Sequence, residues 1–281
     1  MPVQQFLRWV GSKRKLLPHI LPLLGLNDSG IYFEPFLGSG AVFFALEPSR
    51  AVLSDANPDL IAGYLALQEY LDELIQRLSE HESFHNQDPK TYYYDTRSSG
   101  NIDPKKEWDK ALLLDKGSRF IYLNKAAFNG LWRVNLKGEM NAPIGATAKG
   151  SQSITFDFEN LRLCSKALSV ADIRLCSYGE ILPEVQCHDR VYLDPPYVPI
   201  RQKTNFSGYC LDAFTLEDQM RLSILCHRAS TRGARGILSN ANTDTTQELY
   251  ADQTIDFLEV SRSIAAKTAD RKMALELLVT F

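Results

Sequence analysis

Seven short runs of strand-forming residues punctuate this chain, and their spacing constrains its fold more than any other feature. Residues 31–33, 51–53, 173–176, 191–193 and 236–238 are apolar stretches too short for helices, with helical patterns between several of them. That alternation predicts an α/β fold with a largely parallel sheet. The runs at 254–264 and 274–281 read as two further strands and a candidate hairpin. Thr215 and Asp218 have the pattern of a capping box. Leu216, Met220, Ile224 and His227 recur at helical spacing after it, which predicts an amphipathic helix.

Between about 61 and 153 the character changes. The helical runs LIAGYLALQEYLDELIQRL and KALLLDKGSRFIYLNKAAF dominate and strand signals are scarce, so residues 61–153 read as a helical insertion in a domain built from 1–60 and 154–281. Turn-formers in ESFHNQDPK, RSSGN and DPKK predict loops over 82–106 within it.

Composition removes several classes. The five cysteines are odd in number and form no CxxC pair, and the five histidines are not read as metal ligands. No disulfide framework and no metal site are expected, and the cysteines read as small buried hydrophobes. There is no uninterrupted apolar run of the roughly 20 residues a membrane span needs, and MPVQQFLRWVGSKRKLL lacks the apolar segment of a secretory signal, so a cytoplasmic address is expected. A net charge of −3 argues against a protein that coats nucleic acid generally. Charge is nevertheless uneven: Arg8, Lys13, Arg14 and Lys15, and then Lys116, Arg119, Lys125, Arg133, Lys137 and Lys149, predict two positive patches.

Two strand exits carry chemistry. In YFEPFLGSGAVFFAL, Glu34, Pro35, Phe36, Gly38 and Gly40 follow a strand and precede an apolar run, where glycine lets backbone approach a ligand. The next strand ends at Asp55, where nucleotide-binding sheets use an acid to accept from ribose hydroxyls. The full GxGxxG and a clamp for pyrophosphate are missing, so an adenosine without phosphates fits better, with S-adenosyl-L-methionine the foremost candidate. The second exit is YLDPPY. Pro195 and Pro196 fix their φ at about −65° and hold Asp194 and the Pro195 carbonyl in a stiff turn. Two acceptors and the Tyr197 ring there would grip an aromatic amine. They would favour return of its lone pair to nitrogen for attack on a methyl group.

FLRWVGSKRKLL (6–17), EPFLGSG (34–40), SDAN (54–57), YLNKAAFNGLWRVNLKGEMNAPIG (122–145), YLDPPY (192–197) and RSIAAKTADRK (262–272) together resemble a Dam-type, alpha-group DNA adenine-N6 methyltransferase. The resemblance implies a Rossmann-like S-adenosyl-L-methionine-dependent methyltransferase sheet, with 61–153 as the DNA target-recognition domain. It also implies that Trp9, Lys13, Glu34, Pro35, Phe36, Gly38 and Gly40 surround the cofactor, Asp55 holds the ribose, and Ser177 and Tyr178 contact the adenosine. Asp194, Pro195, Pro196 and Tyr197 would form the catalytic turn, Asp194 also serving the cofactor amino group and Tyr197 stacking on an extruded adenine.

The same resemblance implies double-stranded DNA as partner and 5'-GATC as target. Phe128 would fill the gap left by the flipped base, with Asn129 beside it. Arg133 would read guanine O6 and N7, Leu131 and Pro143 would pack on a thymine methyl, Arg8 would read an outer pair, and Asn135 joins this DNA-binding set. Lys116, Arg119, Lys125 and Lys137 would contact phosphates. Ala146 and Thr147 stand where family members carry basic and aromatic residues, and Lys125 replaces an arginine. A monomer is expected. Two other readings stay open at this point: amino-methylation of RNA adenine or of cytosine N4, and a DNA-binding regulator that keeps the fold without turnover.

Overall fold

The computed structural model describes residues 3–25, 29–145, 153–197, 214–261 and 273–281. Its strands are β1 (Tyr32–Glu34), β2 (Ala51–Asp55), β3 (Ala171–Leu175), β4 (Arg190–Leu193), β5 (Arg235–Ala241), β6 (Thr254–Ser261) and β7 (Met273–Thr280), joined in one sheet of order β3-β2-β1-β4-β5-β7-β6. The first five are parallel, and β7 runs antiparallel between β5 and β6. The predicted α/β sheet and terminal hairpin are therefore both present.

The helices are α1 (Leu17–Leu24), α2 (Ala41–Leu46), α3 (Pro58–Glu69), α4 (Leu71–Gln87), α5 (Pro89–Ser98), α6 (Lys110–Ala126), α7 (Phe158–Leu168), α8 (Tyr178–Ile181), α9 (Leu216–Thr231) and α10 (Asp244–Leu249). Successive strand residues point to opposite faces, so the sheet feeds two cores. Tyr32, Leu53, Tyr192 and Ile237 pack with Ile20, Phe43 and Leu60 on one face. Phe33, Val52, Val191, Leu193 and Leu238 pack with Tyr178, Leu222 and Cys226 on the other. Burial on both faces is why these strands read as unbroken apolar runs.

The connection from β1 through β2 to β3 builds outward on one side, and the chain then returns to place β4 on the other side of β1. The carboxyl ends of β1 and β4 thus flank a topological switch point, where open α/β sheets bind ligands. The EPFLGSG and DPPY segments leave from these two ends.

Several expectations are corrected. Residues 82–106 are mostly helical: α4 continues to Gln87, Asp88 accepts from Thr91 N at 3.2 Å, and Pro89 takes the first position of α5. A DP pair that looks like a turn is here a helix start, since proline has no N–H to lose in the first turn. Thr215 and Asp218 do cap α9, but the predicted apolar stripe faces outward. Leu216, Met220 and Ile224 are about half exposed, and the buried side is Gln219, Leu222, Cys226 and Ala229. Cys164 and Cys226 are buried as expected, whereas Cys187 is exposed.

Arg119 is not a surface cation. Its side chain is 3% exposed and donates to Thr96 O (2.9 Å), Arg97 O (2.7 Å), Ser99 Oγ (3.1 Å) and Asn101 Oδ1 (3.2 Å), with Asp59 at 3.9 Å. It closes the segment after α5 onto α6, because a guanidinium offers five donors in a fixed fork and can satisfy several carbonyls at once. Lys116 likewise turns to Ser99 O, Gly100 O and Asp115. Neither residue is placed as a phosphate contact. Helix α3 runs through the expected domain boundary at 60/61.

Candidate active site and nucleic-acid interface

Glu34 ends β1 almost fully buried. Its Oε2 accepts from Tyr32 Oη at 2.7 Å and from Phe43 N at 3.1 Å, which ties the strand end to the start of α2. Burial pushes its carboxyl up to about 8, against the lowering effect of those two hydrogen bonds. Glu34 therefore supports the glycine turn from beneath. Pro35 is buried behind it, and Phe36 stacks on Tyr178 with centroids 5.3 Å apart.

The turn itself depends on two glycines. Gly38 has φ +47°, and a Cβ there would lie 2.8 Å from Trp9 Cδ1, so only glycine lets the Trp9 ring close over the turn. Gly40, also at positive φ, is the N-cap residue of α2. Asp55 at the end of β2 accepts from Gly38 N (3.1 Å) and Asn57 N (2.9 Å), so this half-buried residue fixes the turn. Burial raises the Asp55 pKa, and these amides oppose the rise. After β3, Ser177 caps α8 with Glu180, and Tyr178 Oη donates to Asp218 O at 3.2 Å, linking the site to α9.

Asp194 follows β4 directly, with Pro195 buried and Pro196 exposed. Lys13, 7% exposed, places Nζ 2.8 Å from Asp194 Oδ1 and 3.0 Å from Oδ2, and donates to Gly11 O at 3.1 Å. The same ammonium lies 5.0 Å from the Tyr197 ring centroid and 4.0 Å from Glu276 Oε2. Burial raises the pKa of Asp194, Lys13 lowers it, and Glu276 adds to the rise. The sequence pointed to Lys13 and Asp194 separately. It gave no sign of Glu276, which has no motif around it and reaches the site only because β7 inserts beside β5.

The N-terminal segment that carries Trp9 and Lys13 also reaches the helical insertion. Arg8 N donates to Asn124 Oδ1 (2.9 Å), and Asn124 Nδ2 donates to Arg8 O (2.7 Å) and Gly130 O (2.9 Å). Asn124 was overlooked in the sequence, although it lies within YLNKAAFNG. Arg8, Asn129, Arg133 and Pro143 are exposed, and Phe128 is 51% exposed despite its size. Leu131 and Lys125 are half-buried, and Lys125 has its pKa lowered by burial and then by Arg8 nearby. Phe128 N donates to Pro143 O at 3.0 Å, so the two sides of the loop are joined.

Arg133 Nε donates to Asn141 Oδ1 (2.6 Å) and Nη2 to Asn141 O (3.2 Å), an orienting contact that sequence reasoning also missed. Asn135 is spent on the turn beyond: it receives Lys137 N and Glu139 N and donates to Glu139 Oε2 at 2.9 Å. Residues 146–150, including Ala146, Thr147 and Lys149, and the 262–272 segment lie outside the described residues. Among the described residues, no group of three His, Cys, Asp or Glu side chains is arranged to hold a metal ion. No helix there is long and apolar enough to cross a membrane.

A doubly wound sheet with a glycine turn and a proline-locked acid on either side of its switch point defines a Rossmann-like methyltransferase. Residues 9–264 match the D12 class N6 adenine-specific DNA methyltransferase family. The type II methyltransferase M1.LlaDCHI of Lactococcus lactis is 35% identical over 99% of this chain and 95% of its own. M.MjaIII of Methanocaldococcus jannaschii, also a type II methyltransferase, is 36% identical over 99% of each. The DNA adenine methylase of Escherichia coli K12 is 32% identical over 98% of this chain and 94% of its own. The chain belongs to the D12 class of N6 adenine-specific DNA methyltransferases, enzymes that use S-adenosyl-L-methionine as methyl donor and DNA as substrate.

Proposed function

We propose that this enzyme methylates the adenine of 5'-GATC in duplex DNA after swinging that nucleotide out of the helix, acting as a monomer in the cytoplasm. The observation that supports it best is the double attachment of residues 8–13. Arg8 is docked through Asn124 to the Phe128–Gly130 turn, while Lys13 sits on Asp194. A DNA-reading surface and a methyl-transfer site are thereby built on one short segment, with 61–153 as the recognition unit.

The residues fit the cofactor. Asp55 has lone pairs left for ribose hydroxyls after two amides are counted, and Trp9 and Phe36 offer apolar surface at the glycine turn. Asp194 is an acceptor for the ammonium end of a methionine moiety. When bound, S-adenosyl-L-methionine supplies an electrophilic methyl group on a sulfonium. Asp194 and the Pro195 carbonyl accept the two N–H bonds of the adenine amine and return its lone pair to nitrogen, with Tyr197 stacked on the ring. The proton displaced from that nitrogen leaves along the hydrogen bond to Asp194.

Flipping costs a few kcal/mol of unstacking. Phe128, large, apolar and half exposed, is suited to occupy the vacated space, and Asn141 holds the Arg133 fork for guanine. Purified protein incubated with labelled S-adenosyl-L-methionine tests the assignment. Label should appear on adenine in GATC duplexes and fall sharply when any one base pair of the site is changed. Label on cytosine, or equal label on unrelated duplexes, would overturn it.

A further inference from the structure

Methyl transfer at the DPPY turn leaves Glu276 without an assigned role, yet its carboxylate approaches the same Lys13 ammonium that holds Asp194. Glu276 stands on β7 opposite Ala241, the last residue of β5, and its side chain is 16% exposed. Oε2 is buried and has no hydrogen-bond partner among the described residues. Lys13 Nζ is 4.0 Å away, too long for a hydrogen bond but within ion-pair distance. The ammonium meanwhile spends its donors on Gly11 O and on both Asp194 oxygens.

This arrangement conflicts with what Asp194 has to do. A target amine needs an acceptor whose electron density is not already drawn toward an ammonium at 2.8 Å. Lys13 must therefore loosen from Asp194 as the amine arrives, and a buried ammonium released without a partner is costly. A shift of about 1 Å brings Nζ within hydrogen-bond reach of Glu276.

We propose that Glu276 is a positioning residue that receives the Lys13 ammonium when the adenine amine engages Asp194. The lysine thus moves between two fixed carboxylates and stays screened from solvent throughout. Glu276 touches neither the adenine nor the reacting carbon; it acts by freeing the acceptor. This role rests on the adenine-methylation reading above.

Glu276→Gln keeps the shape and removes the charge. In single-turnover transfer to a GATC duplex its rate should fall about 10- to 100-fold, the worth of a charge-assisted hydrogen bond, with DNA affinity unchanged. Asp194 is faced by Lys13 from the N-terminal segment, Glu34 from β1, Tyr192 from its own strand and Glu276 from β7. Removing Glu276 takes away a charge that raises the Asp194 pKa, so the acid limb of the pH–rate profile should move to lower pH. Glu276→Asp should restore part of the rate and the position of that limb, and it carries the test should Glu276→Gln fail to fold. In a Lys13→Met background, Glu276→Gln should add no further loss. An unchanged rate and acid limb in Glu276→Gln, or an equal loss with and without Lys13, would overturn the role. Failure of the unsubstituted protein to methylate adenine would instead overturn the function itself.

Discussion

Lys13 and Asp194, 181 positions apart in the chain, meet with Nζ 2.8 Å from Oδ1, and this contact joins the N-terminal segment to the DPPY turn. Both partners are largely screened from water, with side chains 7% and 23% exposed, so the pair is held more firmly than a surface ion pair. Asp194→Ala should abolish methyl transfer while leaving DNA binding largely intact, as read by filter binding alongside label incorporation. It should also lower stability by about 1–3 kcal/mol in urea titration, because Lys13 loses its contacts with Asp194 and keeps only Gly11 O and, on a small shift, Glu276. Unchanged transfer would remove Asp194 from the chemistry.

Glu34 gives a pH signature. Burial raises its carboxyl from 4.5 to about 8, so the folded protein holds this proton where the unfolded chain does not. The contribution of Glu34 to stability is therefore complete below about 4.5 and is lost as pH rises through about 8. One pKa unit is about 1.4 kcal/mol, so the loss is at most roughly 5 kcal/mol. Glu34→Gln keeps an acceptor for Tyr32 and Phe43 N without the charge. Its stability should decline less between pH 5 and 8 than that of the parent, as followed by thermal melts; parallel curves would contradict the assignment.

Arg119 is predicted to be structural. Arg119→Ala strands several carbonyls and the buried Asp59 carboxylate, and should cost about 3–5 kcal/mol. Arg119→Lys should recover little of this, because one ammonium cannot reproduce the fork. A surface phosphate contact would instead lose DNA affinity with stability unchanged, so a urea titration separates the two cases.

Gly130 holds φ +67° with its Cα against Arg8, where an added Cβ would run into the Arg8 side chain. Gly130→Ala should displace Arg8 and the Phe128 turn. DNA affinity should fall well before cofactor affinity does, as measured by separate titrations with duplex and with S-adenosyl-L-methionine. An equal loss of both would mean that the turn supports the whole domain.

With Arg133 reading guanine as proposed, Arg133→Ala should cost about 1–3 kcal/mol at that base and relax selectivity at that base pair alone. Asn141→Ala, which frees the guanidinium from its orienting contacts, should give a weaker form of the same phenotype. Uniform weakening across sequences would make Arg133 a phosphate contact.

Where one local pattern determined one outcome, the sequence was readable. The strands were visible because β1, β2, β4 and β5 are buried on both faces. The capping box at Thr215 was visible because its two hydrogen bonds lie within four residues. The apolar stripe of α9 misled, since periodicity reports that a helix has faces and not which face the sheet will cover. Leu222, Cys226 and Gln219 won that place through packing on β5 and Tyr250. Arg119 looked like any basic residue because its partners, the carbonyls around Ser99, carry no sequence signal. Glu276 and Asn124 were hidden for a similar reason: Glu276 faces Lys13, and Asn124 holds Arg8, each more than a hundred positions away.

The most direct measurement is base-resolution mapping of methylated bases in DNA from cells expressing this chain, with the Asp194→Ala variant as control. N6-methyladenine at GATC on both strands, absent from the control, is the predicted result. No methyladenine, methyl groups on cytosine N4, or an equal map from the Asp194→Ala variant would contradict the account.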